Sequence, residues 1–482
     1  MEPMIHDNYS RTLREIFAHV DYSRNRQHPY NAESYNLDRM RELVRRMGDP
    51  QDQYPSIHIA GSKGKGSTSA MTTSILQTAG YHTGLYTSPH LHTFRERMRV
   101  DGQLISQQRL SELWEQARPI VRSIPKTTTF EIITLLAFMH FEQMQVDWSV
   151  IEVGLGGRLD ATNVIMPAAC AITALSLEHT DLLGDNIASI AAEKAGIIKP
   201  GAPIVTGPQP PEAMAVIRQA ASAVDSPLIQ VGEAWRWEIR EQSPHGLWLD
   251  IYGPDSTITD LQIPLTGAHQ AINATVAVAL VHTLKSNGVE FSAETIREGL
   301  AQTYWPGRLE LLSQQPNIVL DSAHNRDSAS RLNHALSIFP HQRLILLFGV
   351  SRDKDVAGML EILGREADTI ILTRSFHPRA ANPIQLEKVA RKLFPEKNIL
   401  LTEDASPGLE QALTLARDGD LILVTGSIFV VAAVREAWAA RHPLALPPDD
   451  WVHFAEPIDG EFSPMISSPD DKTAPQSITP LP

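Results

Sequence analysis

The sequence predicts an α/β protein of two domains, each a mostly parallel sheet covered by helices, the second smaller and Rossmann-like. Three observations predict it. Short apolar runs alternate with helix-length segments between residues 57 and 303, the rhythm of strand–helix–strand crossovers. The segment Tyr304-Trp305-Pro306-Gly307-Arg308 breaks that rhythm with a Pro-Gly turn, and the alternation resumes from Asn317. Within the first part, Ile57-His58-Ile59-Ala60-Gly61-Ser62-Lys63-Gly64-Lys65-Gly66-Ser67-Thr68 leads from an apolar strand through glycines to lysine, hydroxyl residues and a helix. That is the order of a phosphate-loop (P-loop-type) domain: glycines aim successive N–H groups at one point, and the helix N-terminus adds positive charge.

The elements follow in chain order. Residues 1–55 read as two helices, Ser10 to Tyr22 and Asn36 to Met47, joined by a polar segment. After the loop come a helix to Ala79 stopped by Gly80, a strand at His82–Thr87, an apolar helix at Phe130–Gln143 and a strand at Trp148–Val153. A strand at Cys170–Leu175, a helix at Ile187–Ala195 and a strand at Pro203–Thr206 continue the pattern. Residues 235–239 and 247–251 alternate with a period of two, predicting an antiparallel hairpin that decorates the first domain. Helices at Gln270–Lys285 and Ala293–Gln302 close this domain, residues 1–303, and residues 304–308 form the hinge. Strands at 317–321, 343–348, 369–373, 398–401 and 420–425 build the second domain, residues 309–440. Residues 441–482, rich in Pro, Ser and Asp, read as a disordered tail without a catalytic role.

Composition narrows the functional classes. Of 482 residues, 43% are hydrophobic and 20% charged, ample for a sizeable core. The net charge of −14 argues against nucleic-acid and anionic-membrane partners but leaves small anionic ligands open. The single cysteine, Cys170, excludes an intramolecular disulfide and a cysteine-based zinc cluster. No signal peptide or membrane-spanning stretch is visible, so a cytoplasmic protein is expected.

The loop departs from the strict Gly-x4-Gly-Lys-Ser/Thr pattern: Ile59 stands where the first glycine would, and Gly66 separates Lys65 from Ser67. With that departure, Gly61-Ser62-Lys63-Gly64-Lys65-Gly66-Ser67 resembles the loop of folylpolyglutamate and dihydrofolate synthases, the folate branch of the Mur ligase superfamily. The cell-wall members carry a UDP-binding domain of about a hundred residues ahead of the loop, for which the stretch before Gly61 has no room. The resemblance runs from residue 10 to residue 440.

Five further segments carry the resemblance, each with its plainer alternative. Ser88, in Tyr86-Thr87-Ser88-Pro89-His90-Leu91, is implied as a hydroxyl ligand to magnesium; alone, Ser-Pro is a turn. The nearby Phe94-Arg95-Glu96-Arg97 resembles a segment beside the folate pocket. Glu152 ends an apolar strand, where a carboxylate needs a cation or an ion pair, and the following glycines, Gly154, Gly156 and Gly157, leave space for a ligand. His179, in Leu177-Glu178-His179-Thr180-Asp181, is implied as a ligand to a second magnesium; otherwise it is a core or capping residue. Lys194, in Ala192-Glu193-Lys194-Ala195-Gly196, matches a lysine that is carbamylated in the family; otherwise Glu-Lys is a solvated face or a phosphate partner. Asn273 opens a helix and resembles the adenine-side asparagine; its alternative is a helix cap. Arg308 matches a phosphate-contacting arginine, and Asp321 and His324 match residues that close over the nucleotide. The family usually has Gly and Pro where this chain has Ser322 and Arg326.

The resemblance thus implies an ATP- and Mg²⁺-dependent ligase, expected as a monomer, that adds L-glutamate to a folate or to dihydropteroate through an acyl phosphate. Gly61, Gly64, Lys65, Gly66 and Ser67 would cradle the phosphates, with Asn273, Arg308 and Asp321 completing the nucleotide site. Lys65, Lys194, Asp321 and His324 are the candidate catalytic residues, and Ser88, Glu152 and His179 the metal ligands. The alternatives are restriction to one of the two acceptors, or a non-catalytic nucleotide-binding protein on the same scaffold.

Overall fold

A computed structural model describes residues 2–19, 37–442 and 444. The first sheet contains β1 (Ser56–Ala60), β2 (Thr83–Tyr86), β3 (Met98–Val100), β4 (Gln103–Leu104), β5 (Trp148–Glu152), β6 (Ala169–Ile172), β7 (Ile204–Thr206) and β8 (Leu228–Gln230), in the order β4-β3-β2-β5-β1-β6-β7-β8. From β2 to β8 all neighbours are parallel, while β3 and β4 add a short antiparallel edge. β1, β5 and β6 are buried along their whole length, which explains why they read as continuous apolar runs.

Each face of this sheet has its own core. Ile57, Ile59 and Val150 pack with Met71 and Ile75 of helix Lys65–Thr78 and with the helix Ala268–Thr283. Tyr86 and Ile151 pack on the other face with helices Glu2–Phe17, Leu37–Arg46, Gln107–Ser123 and Thr129–Gln143. The predicted hairpin is a three-stranded meander, β9 (Arg236–Ser243), β10 (Gly246–Tyr252) and β11 (Thr257–Ile263), because Ile258, Leu261 and Ile263 of the third strand complete the buried face. The helix Gln107–Ser123 carries no clean start in sequence and holds Pro119, yet Ser106 caps it and Leu110, Leu113, Trp114 and Ala117 bury one side.

The second sheet runs β12-β13-β17-β14-β15-β16, with β12 (Glu310–Gln314), β13 (Asn317–Leu320), β14 (Leu344–Phe348), β15 (Thr369–Leu372), β16 (Asn398–Leu401) and β17 (Leu421–Thr425). It is parallel except for the β12–β13 hairpin at its edge. One feature crosses between the two units. Leu91, from the loop after β2, is buried in the second unit's core beside Ile318, Leu320, Val430 and Val431.

No helix among the described residues is long and apolar enough to cross a membrane. The predicted tail lies outside the described residues except for positions 441, 442 and 444, as do the ends of the first two predicted helices, Val20-Asp21-Tyr22 and Asn36.

Candidate functional site

The carboxyl ends of β1, β5 and β6 meet at one place, the position where ligands sit in such sheets. The β1–β5 register sets Glu152 beside Ile59, two residues before Gly61. The loop is tied to the chain after β6: the N–H groups of Ser62 and Lys63 both donate to the Ala174 carbonyl at 3.0 Å, and Ser62 Oγ donates to Ser176 O at 3.1 Å. Gly64 has φ of 90°, and a Cβ there would fall 2.2 Å from Asn273 Oδ1. The departure glycine also has a reason. A Cβ on Gly66 would lie 2.7 Å from the indole of Trp305, which the hinge lays on the first turn of the helix.

Asn273 therefore meets the loop, but it neither opens nor caps its helix. That helix starts at Ala268, so Asn273 sits in its second turn, where Nδ2 donates to Gln270 Oε1 at 2.9 Å. The starting point was misread because Gly267, with φ of 104°, precedes the helix without any side-chain cap.

Two lysines converge on one carbonyl. Lys65 Nζ donates to Gly61 O at 3.0 Å and Lys194 Nζ donates to the same oxygen at 2.9 Å. Lys194 is no solvated residue: its side chain is 2% exposed and its ammonium pairs with Glu178 at 2.9 Å. Burial lowers the Lys194 pKa, aided by the charges of Lys65 and Lys63 and opposed by Glu178. Burial works to raise Glu178, but Lys194, Lys65 and Lys63 hold it below the usual carboxylate range.

Glu152 and Ser88 are also brought together, the Ser88 N–H donating to Glu152 Oε2 at 3.1 Å. Burial raises the Glu152 pKa, against the charges of Lys65, Arg308 and Arg97. A carboxylate and a serine hydroxyl are hard oxygen donors, the kind that suits magnesium with waters completing its shell. Two of the glycines after Glu152, Gly154 and Gly157, face protein and not ligand space, however. A Cβ on Gly154 would strike Phe130 at 2.4 Å and one on Gly157 the Glu193 carbonyl at 2.8 Å, so these two serve helix packing. His179 lies in the chain after β6. It is partly exposed, has φ of 47°, and precedes the short helix Thr180–Leu183, whose Leu182 and Leu183 N–H groups donate to its carbonyl. No group of three or more His, Cys, Asp or Glu that could hold a metal occurs among the described residues.

The second unit presents Asp321 just past the end of β13. Its Oδ2 accepts from Leu309 N at 3.0 Å and its Oδ1 from Ala323 N at 2.9 Å, while burial raises its pKa against Arg308. Arg308 thus acts on carboxylates of both units, Glu152 and Asp321. His324 retains solvent exposure, yet the protein packed around its ring and the Lys63 charge lower its pKa; its Nδ1 donates to Ser322 O at 3.0 Å. The residues that differ from the family are satisfied locally: Ser322 Oγ donates to the hinge carbonyl of Gly307 at 3.0 Å, and Arg326 pairs with Glu361.

Sequence reasoning missed a buried network between the units. Arg435, in helix Ile428–Ala439, is fully buried and donates to Glu310 Oε1 at 2.9 and 3.1 Å, Tyr304 Oη at 3.1 Å and His92 Nε2 at 2.7 Å. Because arginine only donates, His92 carries its proton on Nδ1, which donates to Glu436 Oε1 at 3.1 Å. Burial and the Glu96 charge push Glu436 up to about 8. The available signal was the arginine that directly follows the apolar run Ile428-Phe429-Val430-Val431-Ala432-Ala433-Val434 on the same helix.

With this geometry in hand, likenesses to known families, proteins and structures bear on the site. Residues 59–281 match the Mur ligase middle domain, and residues 307–428 the Mur ligase glutamate ligase domain. The chain is 35% identical to the dihydrofolate synthase/folylpolyglutamate synthase of Bacillus subtilis over 411 residues, 83% of this chain and 94% of that protein. It is 37% identical over 410 residues to the probable bifunctional folylpolyglutamate synthase/dihydropteroate synthase of Haloferax volcanii, of which it spans only 48%. The structure of Mycobacterium tuberculosis folylpolyglutamate synthase complexed with ADP aligns with a TM-score of 0.80 at 33% identity, covering 85% of this chain and 96% of that one.

Proposed function

Since the chain belongs to the folate branch of the Mur ligases, the folylpolyglutamate and dihydrofolate synthases, we propose that it uses ATP to join L-glutamate to a folate carboxylate. The observation that carries this reading is the cleft itself. Lys65 of the phosphate loop and Arg308 of the hinge both act on the buried Glu152, which Ser88 contacts through its N–H, and Arg308 acts also on Asp321 of the second unit.

A carboxylate acylates an amine only after one oxygen becomes a leaving group, which transfer of the ATP γ-phosphoryl provides. That transfer needs alignment and charge neutralisation more than covalent help. Lys65 and the amides of the loop Gly61, Gly64, Gly66 and Ser67 hold the β- and γ-phosphates. Asn273, pressed against Gly64, serves the adenine side. Ser88 and Glu152 would hold Mg²⁺, which when bound offsets phosphate charge; His179 is the candidate ligand for a second ion. Lys194, its pKa lowered to about 8 by burial, has a larger neutral fraction than an ordinary lysine, the form that carbamylation requires. Asp321 and His324 close the cleft from the second unit and exclude water from the acyl phosphate. The first unit spans residues 1–303, the hinge 304–308 and the second unit 309–440, in keeping with the two sheets and the turn between them.

The test is direct: purified protein with ATP, Mg²⁺ and labelled glutamate, offered tetrahydrofolate and dihydropteroate separately. Labelled product with either acceptor supports the reading and identifies the acceptor. ATP hydrolysis without labelled product refutes it.

A further inference from the structure

Among the described residues, Lys63 is the only lysine whose ammonium is buried without a hydrogen-bond partner. Burying an unpaired charge is costly, and an unsatisfied buried group calls for an explanation. The acids nearest it are already committed. Glu178 pairs with Lys194 at 2.9 Å, and Asp327 pairs with Arg331 at 3.2 Å. The backbone under Lys63 is fixed by its N–H bond to Ala174 O, so this side chain is held in the loop and not at its frayed edge.

The two loop lysines also face different walls. Lys65 is tied back to Gly61 O and acts on Glu152 and Glu178 within the first unit. Lys63 acts on Glu178 as well, but also on Asp321, His324 and Asp327 of the second unit. Its three N–H donors are therefore presented where the units meet over the loop. A phosphoryl group with three peripheral oxygens is the ligand class that matches them.

We propose that Lys63 is a second catalytic cation of the phosphate loop, binding the γ-phosphoryl group while it transfers from ATP to the folate carboxylate. This rests on the ligase reading. In that step the bond from γ-phosphorus to the bridging oxygen breaks, its electron pair leaves with ADP, and a carboxylate oxygen bonds to phosphorus. Lys63 gives up no proton: its ammonium offsets charge on the peripheral oxygens before and after transfer. When the glutamate amine expels phosphate, the same ammonium stabilises the leaving dianion.

The proposal separates ADP from ATP, because only ATP carries the group that Lys63 binds. Wild type, Lys63→Met and Lys63→Arg are compared by calorimetric titration with ADP and with β,γ-methylene-ATP, in the presence of Mg²⁺, alongside kcat for glutamate addition. One charge-assisted bond predicts that Lys63→Met binds ADP within about twofold of wild type but the triphosphate analogue about tenfold or more weaker. Loss of a transition-state contact predicts a fall in kcat of about a hundredfold, partly restored in Lys63→Arg. Equal loss of ADP and analogue affinity would overturn the proposal, showing that Lys63 only shapes the loop, as would unchanged affinity for both. If wild type forms no glutamylated folate, the ligase reading fails, and the ADP-to-analogue comparison still decides whether Lys63 binds the terminal phosphoryl group.

Discussion

Replacing Arg435 by Met keeps an unbranched side chain of similar reach while deleting every donor. Four contacts disappear, at 2.7, 2.9, 3.1 and 3.1 Å. Breaking a buried ion pair costs about 3–5 kcal/mol. Two features moderate this: Glu310 Oε2 keeps the Gly307 N–H at 2.8 Å, and the Glu310 side chain is 18% exposed and can recruit water. The low end, about 3 kcal/mol, is therefore expected. Urea unfolding followed by circular dichroism measures it. Because Glu310 and Arg435 act through one contact, the double variant with Glu310→Gln should lose less than the sum of the single losses. The His92 contact reaches the loop that carries Ser88, so kcat should fall along with stability. A loss below about 1 kcal/mol, the range of an exposed pair, with unchanged kcat would refute the view that this cluster holds the units together.

Four other outcomes are expected. Lys65→Ala should abolish product while leaving the unfolding curve in place, since Lys65 bonds only a loop carbonyl; near-normal turnover with unchanged ATP affinity would remove it from the phosphate site. Gly66→Ala gains up to about 1 kcal/mol of helix propensity yet displaces Trp305, so kcat and indole fluorescence should change with little loss of stability; no change in either would contradict the packing. Glu436 has a folded pKa raised from 4.5 to about 8, so its folded form binds more protons, and stability falls as pH rises through that window. Melting temperatures at pH 5 and 8 should therefore differ less in Glu436→Gln than in wild type. Finally, His179→Ala and Asp321→Ala should each lower kcat strongly, and their double variant should be little worse than either alone; fully multiplicative losses would assign them to separate steps.

How much was legible in the sequence depends on whether the deciding interaction is local. β1 and β14 are buried along their whole length, so their apolar runs identify them unaided. β3, β4 and β12 are short or half-buried strands at or next to a sheet edge, and no pattern marks them. The same divide holds at the site. Lys65 sits in one contiguous motif and Glu152 ends a recognisable strand, whereas the Arg435 cluster gathers residues 92, 304, 310, 435 and 436. Gly154 and Gly157 show the converse error: a composition that suits a ligand serves to seat the helices Thr129–Gln143 and Ile187–Ala195.

The burial of Leu91 in the other unit's core constrains how the protein can move. A leucine lifted from such a socket exposes apolar surface worth about 1.5–3 kcal/mol, and the vacated hole adds a further penalty. Wide separation of the two units is opposed at this point, whereas rotation about it leaves the contact intact. Leu91 is three residues from Ser88, so the peg stands next to the proposed metal ligand. Any relative motion that spares this contact is a rotation about a point beside the proposed metal ligand, and any motion that breaks it carries the cost of emptying the socket.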